Sequence, residues 1–73
     1  MSRNPRRDEM QIPVMQRLLI STTETAALLG LSYSLTNRLI KEKVIPSMKV
    51  GSEVRVPLRM LEEWIEEETR RNG

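Results

Sequence analysis

Residues 32–43 carry the side chains best suited to chemistry, and that chemistry is recognition rather than bond-making. Tyr33, Ser34, Asn37, Arg38 and Lys41 fall largely off the apolar stripe that Leu35, Leu39 and Ile40 form at i, i+4 and i+5. Asn37 presents a donor and an acceptor side by side, the arrangement that pairs with the major-groove edge of adenine. Arg38 suits a phosphate or the edge of guanine, Lys41 suits a phosphate, and Tyr33 and Ser34 suit the groove floor. The face lacks the glutamate–lysine mixture of an ordinary solvated helix. Bond-making is poorly provided for. The 73 residues include no histidine and no cysteine, which removes the commonest general base, the commonest metal ligand and any disulfide. Carboxylates or lysines need a pocket to act in, and so short a chain has little room for one. The expectation is a non-enzyme with no metal and no cofactor.

A second set of polar residues follows. Met48 and Val50 flank Lys49, Gly51-Ser52-Glu53 can turn, and Val54 and Val56 flank Arg55. This is the alternation of a short β-hairpin, with the valines expected on one face and Lys49 and Arg55 on the other. Two short strands are marginal alone, so the valine face must pack on helices. Lys49, Ser52 and Arg55 then become candidates for a nucleic-acid backbone, and Ser32 and Gly51 can offer backbone N–H groups to phosphate. Other roles compete at each position. Ser32 is first of all a helix cap, Arg55 has Glu53 two residues away as an alternative partner, and Tyr33 can simply lie over the preceding helix.

The elements that must position these residues are legible from their boundaries. Ser21-Thr22-Thr23-Glu24 has the spacing of a capping box, a hydroxyl followed three residues on by a carboxylate. Ala26 and Leu29 fall on one face of the helix it opens, and Gly30 can end that helix in the left-handed conformation. Ser32 caps a second helix after a turn of about three residues, which is the composition of a helix-turn-helix. A plain helical hairpin shares that turn; the polar face of the second helix favours the former. Pro46 closes off any helix before it, and Pro57 is expected in the first turn of a third. There Leu58, Leu61, Trp64 and Ile65 recur at helical spacing, with Trp64 a core anchor, and Glu62, Glu63, Glu66 and Glu67 line the opposite face.

Charge is distributed to match. Residues 32–56 hold five cations (Arg38, Lys41, Lys43, Lys49, Arg55) against Glu42 and Glu53, whereas residues 57–73 hold three cations against five glutamates. A basic centre suits a polyanion, and the acidic third helix should face away from one. The net charge is only +2, and no apolar run exceeds the four residues Ala26–Leu29, so no membrane span is expected. With no secretory signal in the sequence, the expected address is cytoplasmic.

The order helix, turn, helix, hairpin, helix from Leu19 to Ile65 resembles the excisionase-type winged helix-turn-helix family, relatives of MerR-like DNA-binding domains. The resemblance rests on the run from Ser21 to Ser32, on Arg38-Leu39-Ile40 and on Ile45-Pro46. It continues through Lys49-Val50-Gly51 and Val54-Arg55-Val56-Pro57 to Leu61-Glu62-Glu63-Trp64. It implies an α+β, mostly helical fold: a winged helix-turn-helix with three helices and a two-stranded β-hairpin wing. Residues 1–17 would be a basic arm, 18–69 the DNA-binding domain and 70–73 a tail. It further implies a recognition helix in the major groove, a wing near the minor groove and cooperative binding to DNA repeats. The DNA would bend, and an integrase partner would be steered toward excision of a phage or mobile element in a bacterial host. A small transcriptional regulator is the alternative use of the same domain, and an interaction module without DNA a third. The chain departs from the family pattern at three places. Lys43 stands where relatives usually have glycine, Thr36 where they carry a larger aliphatic residue, part of whose packing Leu35 could take over, and Ser52-Glu53 where the wing tip is often basic.

Overall fold

The computed structural model describes residues 17–72, so the basic arm expected over 1–17 lies, Arg17 apart, outside the described residues. The elements run β1 (Leu19–Ile20), α1 (Thr22–Leu29), α2 (Tyr33–Lys41), β2 (Met48–Val50), β3 (Glu53–Pro57) and α3 (Leu58–Asn72). The fold is a mostly helical winged helix-turn-helix, with three helices and a small antiparallel sheet. That sheet has three strands in the order β1-β3-β2, so the hairpin gains β1 as a further strand.

Both helix-turn-helix helices begin and end by the same local chemistry. The Ser21 hydroxyl accepts from the Glu24 N–H at 3.1 Å, and the Glu24 carboxylate accepts from the Ser21 N–H at 2.8 Å, completing the capping box. Ser32 likewise accepts from the Leu35 N–H at 3.1 Å. Four residues after each cap a threonine hydroxyl donates to the cap carbonyl, Thr25 to Ser21 at 2.7 Å and Thr36 to Ser32 at 2.9 Å. Both threonines are fully buried, and the bond removes the penalty of an unpaired hydroxyl in the interior. Thr36 therefore fills its own core position, with Leu35 half-buried beside it in the sequence.

Each of these helices closes with a Schellman pair of hydrogen bonds. In α1 the left-handed residue is Gly30 (φ 71°), with Gly30 N–H bonded to Ala27 and Leu31 N–H to Ala26. In α2 it is Lys43 (φ 64°), whose N–H bonds the Ile40 carbonyl at 3.0 Å while Val44 N–H bonds that of Leu39 at 2.9 Å. The glycine-type ending is thus kept without the glycine. Lys43 is the one non-glycine residue at positive φ among the described residues.

The hairpin register differs from the sequence expectation. Met48 pairs with Arg55, Lys49 with Val54 and Val50 with Glu53, so the loop is only Gly51-Ser52 and Glu53 belongs to β3. Gly51 takes φ 66° at the first loop position and Ser52 is not at positive φ, the sign pattern of a type II′ turn, whose twist suits a hairpin. Replacing a three-residue turn by two shifts one strand by one position, and such a slip transfers its side chains to the other face. Directly opposed residues share a face. Lys49 therefore sits on the inner face with Val54, and Arg55 on the outer face with Met48, Val50 and Glu53. Lys49 and Arg55 do not lie together, and Met48 and Val50 are exposed, not packed on the helices.

The core lies between the inner sheet face and the helices. Ile20, Ile40, Ile45, Val56, Leu58 and Leu61 form its buried cluster, flanked by Leu29, Leu39, Val54 and Trp64. Ile20 pairs with Val56 across β1 and β3, which places two fully buried side chains back to back with the helices. Pro57 ends β3 opposite Leu19, not inside the helix, and the next residue's N–H (Leu58) donates to the Leu18 carbonyl at 2.9 Å. Strand thus passes into α3 with no loop. Leu58 and Leu61 are buried and Trp64 half-buried, whereas Ile65 is 40% exposed and lies outside the core. The helix continues through Asn72.

Candidate nucleic-acid interface

Short caps and a compact turn hold α2 against α1, and its outward face displays the residues singled out in the sequence. Tyr33, Ser34, Arg38 and Lys41 are exposed and Asn37 is half-buried. Ser32 spends its hydroxyl on the Leu35 N–H, so its side chain serves as the cap. Arg38 lies 3.9 Å from Glu42 in a loose i, i+4 ion pair, with more than half of each side chain in solvent. Such a pair contributes little and leaves the guanidinium open to a competing anion.

Around α2 the remaining residues fall into two separate recesses. The first, of about 380 Å³, lies between the start of α1, the exposed face of α2 and the wing turn. Tyr33, Asn37, Ser52, Glu53 and Arg55 line it together with Ser21, Thr22, Thr23 and Val54. The second, of about 530 Å³, lies between the C-terminal end of α2 and β2, lined by Lys41, Lys43, Ser47 and Lys49 over Ile40 and Val54. Val54 borders both, so the inner edge of the wing divides a hydroxyl- and amide-rich recess from a lysine-rich one. Ser34 and Arg38 line neither recess. Lys43 and Ser47 were absent from the sequence-based set, although the missing glycine at 43 marked that position out.

Arg55 is engaged within the wing. One guanidinium nitrogen donates to the Val54 carbonyl at 2.8 Å and the other to the Glu53 carboxylate at 2.6 Å. A phosphate arriving at the wing must compete with Glu53 for this cation. Lys41, Lys43 and Lys49, by contrast, have no carboxylate partner among the described residues.

Behind the interface, Arg17 pairs with Glu24, and the Glu24 carboxyl is held below its ordinary range. The Ser21 backbone N–H is the largest cause, with the Arg17 charge adding to it and partial burial opposing.

Among the described residues no three His, Cys, Asp or Glu side chains gather as a metal site, and no helix is long and apolar enough to cross a membrane. Two helices joined by a tight turn, with a hairpin beside the second, define the molecule as a winged helix-turn-helix protein. The chain belongs to the helix-turn-helix domain family, whose model matches residues 19–69, and is a DNA-binding domain on that basis. No curated protein and no solved structure matches it.

Proposed function

We propose that the protein is a sequence-specific, non-enzymatic architectural DNA binder of the excisionase type. In this reading it binds repeated DNA sites cooperatively, bends the DNA and directs an integrase toward excision. The observation that carries DNA recognition is the polar face of α2, which stands outward beside two wing-bordered recesses while its apolar side is locked into the core. Asn37 and Tyr33 would meet base edges in the major groove, with Ser34 beside them and Arg38 on a phosphate or a guanine. Lys41 and Lys49 would take the backbone from the lysine-lined recess. Ser52 and Arg55 would approach it from the wing turn, and Ser32 and Gly51 would offer backbone N–H groups.

The architectural role draws on the resemblance of Leu19–Ile65 to excisionases and on a magnitude. A single module with roughly three to five phosphate contacts binds weakly at physiological salt, so useful occupancy needs several protomers side by side. The chain supplies opposite charges for such an array: exposed Glu62, Glu63, Glu66 and Glu67 on α3, and Arg3, Arg6 and Arg7 near the start of the sequence. A head-to-tail contact between them would propagate along DNA without closing.

Two measurements test the reading. The double variant Arg38→Ala, Lys41→Ala should lose DNA binding in a gel shift while its circular dichroism stays that of the wild type, because both side chains are exposed. Binding that survives the substitution would remove α2 from the interface. A recombination assay with a cognate integrase and circular-permutation gel shifts test the architectural part. Stimulated excision with cooperative, bent complexes supports it; single unbent complexes without excision point to a transcriptional regulator on the same domain.

A further inference from the structure

The recess at the end of α2 holds a cation that the reading of α2 and the wing leaves unused. Lys43 lies past the helix end, in the left-handed conformation that side chains with a Cβ adopt only at a cost. Glycine would satisfy the same Schellman bonds without that cost, as Gly30 does at the end of α1. Nothing in the packing calls for a lysine side chain there: the residue is exposed and forms no ion pair among the described residues. Its distinguishing property is its position beside Lys41 and Lys49, lining one recess whose floor is Ile40 and Val54.

The electrostatics of that recess favour an anion despite the helix end. The carbonyl end of a helix ordinarily repels negative charge. Here the Leu39 carbonyl accepts from the N–H groups of Val44 and Ile45, and that of Ile40 from Lys43, so these two carbonyls are already occupied. Three ammonium groups with no carboxylate among the residues lining the recess then set its potential. Ser47, on the same wall, adds a hydroxyl able to donate to a phosphate oxygen.

We infer that this recess is a seat for a DNA backbone phosphate, shared by Lys41, Lys43 and Lys49, and that Lys43 is a DNA-contacting residue held in a strained backbone conformation for the sake of its charge. This rests on the DNA-binding reading and deepens it by adding Lys43 to the lysine-lined recess already assigned to the backbone. The contact is independent of base sequence, so a labelled random-sequence DNA duplex is a sufficient probe.

The test compares wild type with Lys43→Gly, Lys43→Asn and Lys43→Arg by thermal unfolding and by binding to that duplex across a salt series. Removing one phosphate contact lowers the slope of log Kd against log salt by about 0.9 and weakens binding by about five- to tenfold near 0.1 M salt. Lys43→Gly and Lys43→Asn should both show this loss. Lys43→Gly should at the same time melt higher by about 5 °C, since the strain is relieved. Lys43→Arg should keep the wild-type slope. A variant that is more stable and yet binds less tightly separates a contact from a structural role. Wild-type slopes in both neutral variants, with the wild-type protein binding normally, would overturn the inference alone. A wild-type protein that shows no salt-dependent binding would overturn the DNA-binding reading along with it.

Discussion

At the scale of single residues, the caps of the first two helices carry the local argument. Ser21 and Ser32 each satisfy a helix-start N–H, and Thr25 and Thr36 each return a bond to the cap carbonyl from within the core. The pairing explains how a β-branched alcohol can stand at 36 where an aliphatic residue was expected. Glu24 adds a pH-dependent element to the same cap. Its folded pKa lies below the unfolded value of about 4.3, so its contribution is present above that value and disappears as pH falls through the lower folded one. Glu24→Gln keeps a neutral acceptor for the Ser21 N–H but removes the titration and the charge facing Arg17. It should lower stability at pH 7 by up to about 1 kcal/mol. The gap to wild type should narrow as pH drops from about 5 toward 2, followed by urea unfolding at each pH. A gap that stayed constant would show that the Glu24 charge does not act in folding.

Among the elements, the wing is where the structure most changes the functional picture. Its two-residue loop places Lys49 on the inner face, over the recess at the end of α2, and Arg55 on the outer face, bound to Glu53 and Val54. The exposed Arg55–Glu53 pair adds little to stability, but it occupies a cation and puts a negative charge at the wing tip. Glu53→Gln should therefore raise affinity for duplex DNA by about two- to fivefold, with a steeper salt dependence and less than about 1 kcal/mol change in stability. Fluorescence anisotropy at two salt concentrations reads the effect, and unchanged or weaker binding would argue that the wing tip stays off the DNA. Less of the wing than of the helices was legible in the sequence, and the reason is physical. Helix boundaries announce themselves through local chemistry: Ser-x-x-Glu at one end, a left-handed residue at the other. Hairpin register depends on whether one residue, Glu53, joins the turn or the strand. That choice is made by pairing with β2 and by the twist the sheet requires.

For the molecule as a whole, the buried cluster is small and centred on β3, which pairs with strands on both sides and carries Val56 into the core. Leu61 is one of its largest fully buried side chains. Leu61→Ala should cost about 2–5 kcal/mol, a large part of what a domain this size has in total. The variant should be mostly unfolded at 37 °C by circular dichroism. Because DNA binds the folded form only, saturating duplex should restore part of the helical signal; a variant that stays folded without DNA would show that the cluster is not the cooperative core. Charge is also arranged at this scale, with lysines on the recognition side and the glutamates of α3 exposed on a separate helix.

By itself, the sequence determined the caps of the first two helices, the glycine ending of α1, the helix-turn-helix and the exposed polar face of α2, because caps, left-handed endings and hydrophobic periodicity act over a few residues. It also marked positions 36 and 43 as departures. Only the tertiary structure decided how those departures are absorbed: Thr36 by bonding to Ser32 in the core, Lys43 by taking a positive φ beside two other lysines. Only the tertiary structure decided, too, which wing residues face α2 and that β1 joins the sheet. Those outcomes depend on strand register and on contacts between segments far apart in the chain, which local propensity does not encode.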